Sequence, residues 1–299
     1  MSNIRFTGIM PALVTPFDAE GKIKKNTVRQ LIDWQLQGGV KGFYICGSTG
    51  EGPALRPETR IEMAETVMDV IGGRGVIINH IGAPNMHDAI MLAKHATDIG
   101  VDAISSLAPT YSFPYTEDEL VDYYKAISDN TDKPVIVYAT AAMGVDNFSG
   151  LMARLIEIPN VIGVKFTIRD YFEMRKTKEV NGGDINLING PDETLLCGLV
   201  MGADGGIGTT YNIMPEWYCK LYDAFIAGDI KTAQEYQYRC NRVTDVLIRS
   251  SKNGAIKATK AALDMMGFDV GPVAGPGRAF DKDQLARLKA DLSALGIQF

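Results

Sequence analysis

Short apolar runs alternate along the chain with longer segments in which apolar residues return every three or four positions. The runs read GIMPALVTPF, GFYICGST, GVIINHIGA, DAISSLAP, PVIVYAT, VIGVKFT, INLINGPDE and GGIGTTYN. Segments such as NTVRQLIDWQLQGG and PETRIEMAETVMDVIGG stand between them, open with Asn or Pro and close at Gly, as helix ends prefer. Eight strands that are each followed by a helix predict a parallel sheet closed into a (β/α)8 barrel, an α/β fold.

An open, doubly wound sheet is the alternative for this alternation. Its dinucleotide fingerprint GxGxxG should follow the first strand, and that position lacks it. After the eighth unit, DIKTAQEYQYRCNRVTDVLIRS, GAIKATKAALDMMG and DKDQLARLKADLSAL have the spacing of amphipathic helices. We therefore predict a barrel over residues 1–228 that carries the active site, and a C-terminal helical bundle packed on it over residues 229–299.

The composition argues against several classes of protein. The 299 residues carry a net charge of −6 without a basic cluster, so nucleic acid and anionic membranes are not expected partners. No apolar stretch reaches the roughly 18 residues of a membrane span, and the start lacks the apolar core of a signal peptide, which favours a cytoplasmic location. The four cysteines and three histidines show no metal-binding spacing, so no metal site is predicted.

One lysine stands in the otherwise apolar run VIGVKFT. With the period of two of a β-strand, Lys165 and Thr167 would face the barrel interior. The opposite face would carry Ile162, Val164 and Phe166. Because an unpaired buried ammonium is costly, Lys165 is paired with a carboxylate, directed into water, or kept partly neutral for chemistry.

Two further motifs favour the chemical interpretation. The alternation in PVIVYAT predicts that Tyr138 lies inside the barrel, on the strand next to that of Lys165. At such a position a neutral amine can condense with a ketone, and a phenol can transfer protons to and from the substrate. Ser48 and Thr49 lie in the GSTGEG turn after the second strand, whose hydroxyl and backbone NH groups can hold a carboxylate. A packed tyrosine and a tight turn are the structural alternatives. Together the motifs predict a site for a 2-oxo acid.

The seventh and eighth strands end in NGPDE and GIGTT. These motifs bring Asp192, Glu193, Thr209 and Thr210 to the same end of the barrel. Such hydrogen-bonding groups suit a polyhydroxylated chain, although Asp192 could also serve as a helix N-cap.

In their order along the chain, these motifs resemble a known family, the lysine-dependent pyruvate aldolases that include N-acetylneuraminate lyase and dihydrodipicolinate synthase. The resemblance runs through PALVTPF, GSTGE, APTYSFP, VIVY, GVKFT, GPDE and GADGGIGTTYNIM. It implies that Lys165 forms an imine with the substrate, that Tyr138 shuttles protons and that no cofactor is needed. It also implies that Ser48 and Thr49 hold the carboxylate and that Tyr111 reaches the site of a neighbouring subunit in a homotetramer.

Within the family, the chain resembles the sialic acid branch. The residues that hold the sugar in that branch correspond to Thr167, Gly190, Asp192, Glu193 and Thr209. The synthase branch carries an arginine where this chain has Met143. The resemblance therefore implies a carbon–carbon lyase that cleaves N-acetylneuraminate to N-acetylmannosamine and pyruvate.

The chain departs from the family after the fifth strand. Members usually read Tyr-Asn-x-Pro there, and this chain reads YATA at residues 138–141. Loss of the proline makes this turn less rigid. Three alternatives stay open: an aldolase for a related 2-oxo-3-deoxy sugar acid, a synthase such as dihydrodipicolinate synthase that joins pyruvate to another aldehyde, and a non-catalytic sensor of a 2-oxo acid.

Overall fold

Eight parallel strands form the centre of the fold in a computed structural model that describes residues 4–109, 115–251 and 254–299. The strands are β1 (Gly8–Pro11), β2 (Gly42–Ile45), β3 (Val76–His80), β4 (Ala103–Leu107), β5 (Val135–Ala139), β6 (Val161–Phe166), β7 (Asn186–Asn189) and β8 (Gly205–Gly208). They pair in the order β1-β8-β7-β6-β5-β4-β3-β2. A parallel bridge between Ala12 and Tyr44 then joins the first two strands. The predicted (β/α)8 barrel is confirmed.

A helix follows each strand, and further helices follow the barrel. The helices are α1 (Lys25–Gln37), α2 (Pro57–Ile71), α3 (Met86–Asp98), α4 (Glu117–Ser128), α5 (Phe148–Leu155), α6 (Tyr171–Glu179), α7 (Leu195–Val200), α8 (Pro215–Ile226), α9 (Ile230–Ser250), α10 (Ala255–Met265) and α11 (Lys282–Ala294). Pro57 occupies the first turn of α2, and Thr116 with Glu119 forms a capping box at α4. The proline in the first turn explains where α2 begins, and the capping box explains where α4 begins.

Two apolar layers lie on opposite sides of the strands. The larger layer fills the space between the strands and the surrounding helices. The smaller one fills the barrel and consists of Phe6, Met10, Ala12, Tyr44, Ile78, Ala103, Ile136, Tyr138, Ile188 and Ile207. The expected alternation in β5 is confirmed, because Ile136 and Tyr138 belong to the inner layer and Val137 belongs to the outer one.

A β-bulge at the start of β6 changes which way one residue faces. The register between β5 and β6 shifts so that Ile136 pairs with Gly163. Ile162 is thereby the extra residue, and it packs against the inner apolar layer. The expectation that Ile162 faces the helices is wrong for this reason, whereas Val164 and Phe166 do pack in the outer layer.

The C-terminal helices reach the loops at the carboxyl ends of the strands. In α9, Gln237 accepts a hydrogen bond from the Leu196 amide at 2.8 Å and donates to the Asp192 carbonyl at 3.2 Å. Asn241 donates to the Glu193 carbonyl at 2.9 Å. The expected boundary between residues 228 and 229 falls in the turn between α8 and α9, and the division into two units stays a prediction.

None of the described helices has the length and apolar character that crossing a membrane requires.

Candidate active site

Lys165 and Tyr138 are direct neighbours across β6 and β5 inside the barrel. Their side chains are buried, with 4% and 6% of each residue exposed. The Nζ atom of Lys165 lies 3.9 Å from the ring centroid of Tyr138 and 4.3 Å from that of Tyr44. The amine is therefore held between two aromatic faces at the position expected for it.

No described carboxylate lies within ion-pair distance of Lys165, although the chain buries a second lysine that has one. Lys260 in α10 is 1% exposed, and its Nζ atom donates to Glu51 at 3.0 Å, to the Thr15 carbonyl at 2.9 Å and to the Pro272 carbonyl. The structural interpretation, a buried ion pair, thus applies to Lys260. Lys165 keeps its amine available.

The surroundings of Tyr138 lower the pKa of its phenol. Burial alone would raise its pKa, but the charge of Lys165 and hydrogen bonding with the Ser48 hydroxyl outweigh this and hold the pKa below its ordinary value. A phenol that ionises more readily is a better proton carrier at neutral pH. This lowered pKa and the position beside Lys165 are compatible with the proton-transfer role that the sequence predicts for Tyr138.

The GSTGEG turn is rigid and lies at the barrel mouth. Cys46, directly before the turn, and Glu51, near its end, have φ angles of 57° and 59°, a strained backbone region for side chains other than glycine. The Thr15 hydroxyl donates to the Gly50 carbonyl at 2.7 Å and ties the turn to the loop after β1. Within the described ranges, the backbone amides of Ser48 and Thr49 have no acceptor. They are free to bind an anion.

A hydroxyl pair joins this turn to the loop after β8. The Oγ1 atoms of Thr49 and Thr209 lie 2.7 Å apart and connect the loops after β2 and β8. This contact brings together two of the predicted binding residues that are far apart in sequence.

Asp192 is buried among backbone and hydroxyl donors. Its carboxylate accepts hydrogen bonds from the Thr209 amide at 3.2 Å, the Thr210 amide at 2.6 Å and the Thr210 hydroxyl at 2.7 Å. Burial raises its pKa to about 6, although the bonds from Thr210 act in the opposite direction. Asp192 thus fixes the loop after β8, and it does not act as an N-cap by its side chain.

Glu193 is directed toward the solvent side of the same loop and forms an ion pair with Arg169, which follows β6. Its side chain is 26% exposed, whereas that of Arg169 is 71% exposed. The predicted sugar-binding carboxylate is therefore partly accessible and has an exposed cationic neighbour.

Thr167 and Gly190 meet at the ends of β6 and β7. A Cβ atom at position 190 would collide with the Thr167 hydroxyl, so the close approach of the two strands requires glycine there. The Thr167 hydroxyl is buried near the phenol of Tyr138, and no described group lies within hydrogen-bond distance of it. It is an available polar group at the mouth of the barrel.

Two further positions that the sequence analysis named are Met143 and Tyr111. Met143 is 6% exposed and packs in the outer apolar layer, so the YATA turn carries a core side chain at this position. Tyr111 lies outside the described residues. Its role across a subunit interface stays a prediction.

Four residues of the site were missed by the sequence analysis: Tyr44, His80, Arg169 and Lys260. The alternation that revealed Tyr138 could also have found Tyr44 and His80, because both point inward from their strands. Sequence alone contains no signal that joins Lys260 to Glu51 or Arg169 to Glu193, since these contacts depend on the closed barrel. The described His, Cys, Asp and Glu residues form no group of three that could hold a metal ion.

Comparison with known proteins gives one family over the whole chain. The sequence model of the dihydrodipicolinate synthetase family matches residues 5–295. N-acetylneuraminate lyase of Escherichia coli (strain K12 / DH10B) is 36% identical over 292 residues, which cover 97% of this chain and 96% of that protein. N-acetylneuraminate lyase of Rhizobium meliloti (strain 1021) is 34% identical over 286 residues, 96% of this chain and 94% of that protein.

A solved structure has the same fold. The catalytic lysine mutant of Ruminococcus gnavus sialic acid aldolase superimposes with a TM-score of 0.92 at 32% sequence identity, and covers 98% of this chain and 97% of that one.

Proposed function

Because the chain belongs to the dihydrodipicolinate synthetase family, we propose that it cleaves N-acetylneuraminate to N-acetylmannosamine and pyruvate through an imine on Lys165. It is a carbon–carbon lyase, a Schiff-base pyruvate aldolase of the N-acetylneuraminate lyase type. The names of its relatives support the sugar substrate. The Ruminococcus gnavus structure is described as a catalytic lysine mutant, which supports a catalytic lysine in that relative.

One observation carries the proposal: Lys165 is buried beside Tyr138 and has no carboxylate partner among the described residues, whereas Lys260 has one. A buried lysine without a carboxylate partner is not held in an ion pair, so its amine is available for covalent chemistry. A neutral amine is the nucleophile that attacks a ketone. The contrast with Lys260 separates a reactive lysine from a structural one.

The chemistry follows from this pair. Lys165 attacks C2 of the open-chain sugar acid, and loss of water gives a protonated imine. Tyr138 accepts the proton of the C4 hydroxyl, the C3–C4 bond breaks, and its electron pair moves into the imine to give an enamine. Protonation of the enamine at C3 and hydrolysis release pyruvate and restore the amine. The imine accepts the electrons, so the reaction needs no cofactor.

The remaining predicted residues bind the two ends of the substrate. Ser48 and Thr49 would hold the carboxylate through the free amides of their turn. The sugar hydroxyls would meet Thr167, Gly190, Asp192, Glu193 and Thr209. The accessible carboxylate of Glu193 and the available hydroxyl of Thr167 support this assignment.

Mass spectrometry of the intact protein after borohydride reduction tests the proposal. With N-acetylneuraminate as the ligand, an adduct of pyruvate mass on Lys165 is expected, since cleavage precedes reduction. Lys165→Ala is the matched control and should form none. An adduct of whole-sugar mass would show an imine without cleavage. An adduct with pyruvate but not with the sugar would favour a related aldolase, which the altered YATA turn keeps open. No adduct with either ligand would leave a non-catalytic sensor of a 2-oxo acid as the remaining interpretation.

Mixing two inactive variants tests the homotetramer and the role of Tyr111. Tyr111→Phe and Lys165→Ala should each lose activity. If Tyr111 completes the site of a neighbouring subunit, subunit exchange between them should create sites with both residues and restore part of the activity. Light scattering should give the mass of four chains. Absence of restored activity in verified mixed oligomers would contradict the assignment.

A further inference from the structure

His80 ends β3 directly beside Tyr138. The residue is 1% exposed. Its ring centroid lies 6.0 Å from that of Tyr138 with an interplanar angle of 88°, and 6.2 Å from that of Tyr44. Edge-to-face packing of this kind fixes the relative orientation of the rings. A displacement of the imidazole would therefore displace the phenol.

Hydrogen bonds determine the tautomer of His80. The Leu107 amide donates to Nε2 at 3.0 Å, and Nδ1 lies 3.1 Å from the Cys46 carbonyl oxygen. An amide can only donate, so Nε2 carries no hydrogen. A carbonyl can only accept, so Nδ1 carries the hydrogen and donates it to Cys46, and the guanidinium nitrogen of Arg60 lies farther from Nδ1, at 3.4 Å. The ring is neutral and in the Nδ1–H form.

The surroundings oppose a positive charge on the ring. The titratable side chains that face it are Arg60, Tyr44, Tyr138 and Lys165, whereas Cys46 contributes its backbone carbonyl. Burial, the guanidinium of Arg60 and the amine of Lys165 hold the pKa of His80 well below its ordinary value. Arg60 is held close by a hydrogen bond to the His80 carbonyl at 2.6 Å.

The imidazole also fixes the backbone opposite the phenol. Leu107, which donates to Nε2, is the register partner of Tyr138 across β4 and β5. His80 therefore contacts the ring of Tyr138 and bonds to the strand residue that pairs with it. If Nε2 were protonated, two N–H groups would face each other and this bond would be lost.

We propose that His80 is a positioning residue for proton transfer, and that it holds Tyr138 at Lys165 only as the neutral Nδ1–H tautomer. This inference rests on the proposed function. The ring itself neither accepts the substrate proton nor touches the substrate. Its effect passes through Tyr138.

A double-mutant cycle tests the route of the effect. His80→Phe keeps a planar ring but removes both hydrogen bonds, and should lower kcat for sugar cleavage by about 10- to 100-fold. The amount of pyruvate trapped on Lys165 at saturation should be unchanged. In the Tyr138→Phe background the same substitution should have little further effect on kcat. His87→Phe, at an exposed position on α3, is the control and should leave kcat unchanged.

The outcomes separate the two claims. Additive losses in the cycle, a parallel loss of trapping, or an unchanged kcat for His80→Phe would overturn the role of His80. If the wild-type protein itself forms no adduct, the proposed function fails, and the role of His80 fails with it.

NMR of the ¹⁵N-histidine-labelled wild-type protein gives a readout that does not depend on folding of the Phe variant. The His80 signals can be assigned by their loss in His80→Gln. They should show the Nδ1–H tautomer and remain unchanged between about pH 5.5 and pH 8.5. An Nε2–H tautomer, or a titration within this range, would overturn the proposal.

Discussion

The carboxylate of Glu51 and the ammonium of Lys260 lie 3.0 Å apart, although 209 positions separate them in sequence. Glu51 closes the turn that contains Ser48, and its second oxygen accepts a hydrogen bond from the Ala274 amide at 2.6 Å. Both carboxylate oxygens thereby join the turn to the C-terminal part of the chain. The geometry of the expected carboxylate-binding turn depends on residues far outside the barrel strands.

Lys260→Met should destabilise the protein strongly. The substitution leaves the Glu51 carboxylate and two carbonyls without their buried donor, which costs about 3–5 kcal/mol of the free energy of unfolding. Urea unfolding measures this loss. Because the turn is released, the KM for the 2-oxo acid should also rise. The double variant Glu51→Gln, Lys260→Met should recover part of the stability. A loss below about 1 kcal/mol for Lys260→Met would contradict the structural role.

Lys165→Met should have the opposite effect on stability. It replaces a buried amine that has no described carboxylate partner by an apolar side chain of similar length. The free energy of unfolding should therefore not fall, and can rise by about 1–2 kcal/mol. Turnover and borohydride trapping should be lost. Urea unfolding beside a trapping assay gives both readouts, and a destabilisation as large as that of Lys260→Met would show that Lys165 is structural.

Asp192 should make stability fall as pH rises. Its pKa is about 6 in the folded protein and 3.8 in the reference state, so the folded protein binds the extra proton between these values. The contribution is complete below the unfolded pKa and is lost as pH passes the folded one. From pH 4.5 to pH 7.5, the wild-type protein should lose about 2 kcal/mol relative to Asp192→Asn. Urea unfolding of both proteins across this range measures the difference. A constant difference would contradict the raised pKa.

Local periodicity is sufficient to predict the barrel and the inward direction of Tyr138 and Lys165. Each strand alternates with period two, and closure of the sheet directs alternate side chains into the barrel interior. The exception is Ile162. A bulge adds one residue to the strand there, and the side chain of Ile162 therefore faces the barrel interior and not the helices. A bulge depends on pairing with the neighbouring strand, so the pattern of β6 alone does not reveal it.

The contacts between loops could not be predicted from the sequence. Thr49 and Thr209 were each expected near the substrate, but only the closed barrel shows that their hydroxyls meet. Asp192 was expected to bind sugar, and the structure shows that its carboxylate is already bonded to Thr210. Such contacts join distant segments, whereas sequence patterns describe each segment separately.

Glu193 and Arg169 should affect sugar binding in opposite directions. Glu193→Gln removes the charge of an accessible carboxylate, and the loss of a charged hydrogen bond of about 1.5–3 kcal/mol should raise the KM for N-acetylneuraminate by about 10- to 100-fold. Pyruvate binds at Lys165 and Ser48 in our proposal, so its affinity should hardly change. Arg169→Ala removes a competitor for the same carboxylate and should lower the KM for the sugar.

The stability of these two variants provides the control. Arg169 is 71% exposed, and an exposed ion pair contributes at most about 1 kcal/mol, so neither substitution should alter urea unfolding appreciably. Steady-state kinetics with the sugar, together with pyruvate competition, then report binding alone. An equal loss of affinity for sugar and pyruvate in Glu193→Gln would refute the assignment of Glu193 to the sugar. A rise in the KM for the sugar with Arg169→Ala would instead mean that Arg169 holds Glu193 in its binding position, because the released carboxylate would then have lost its orientation.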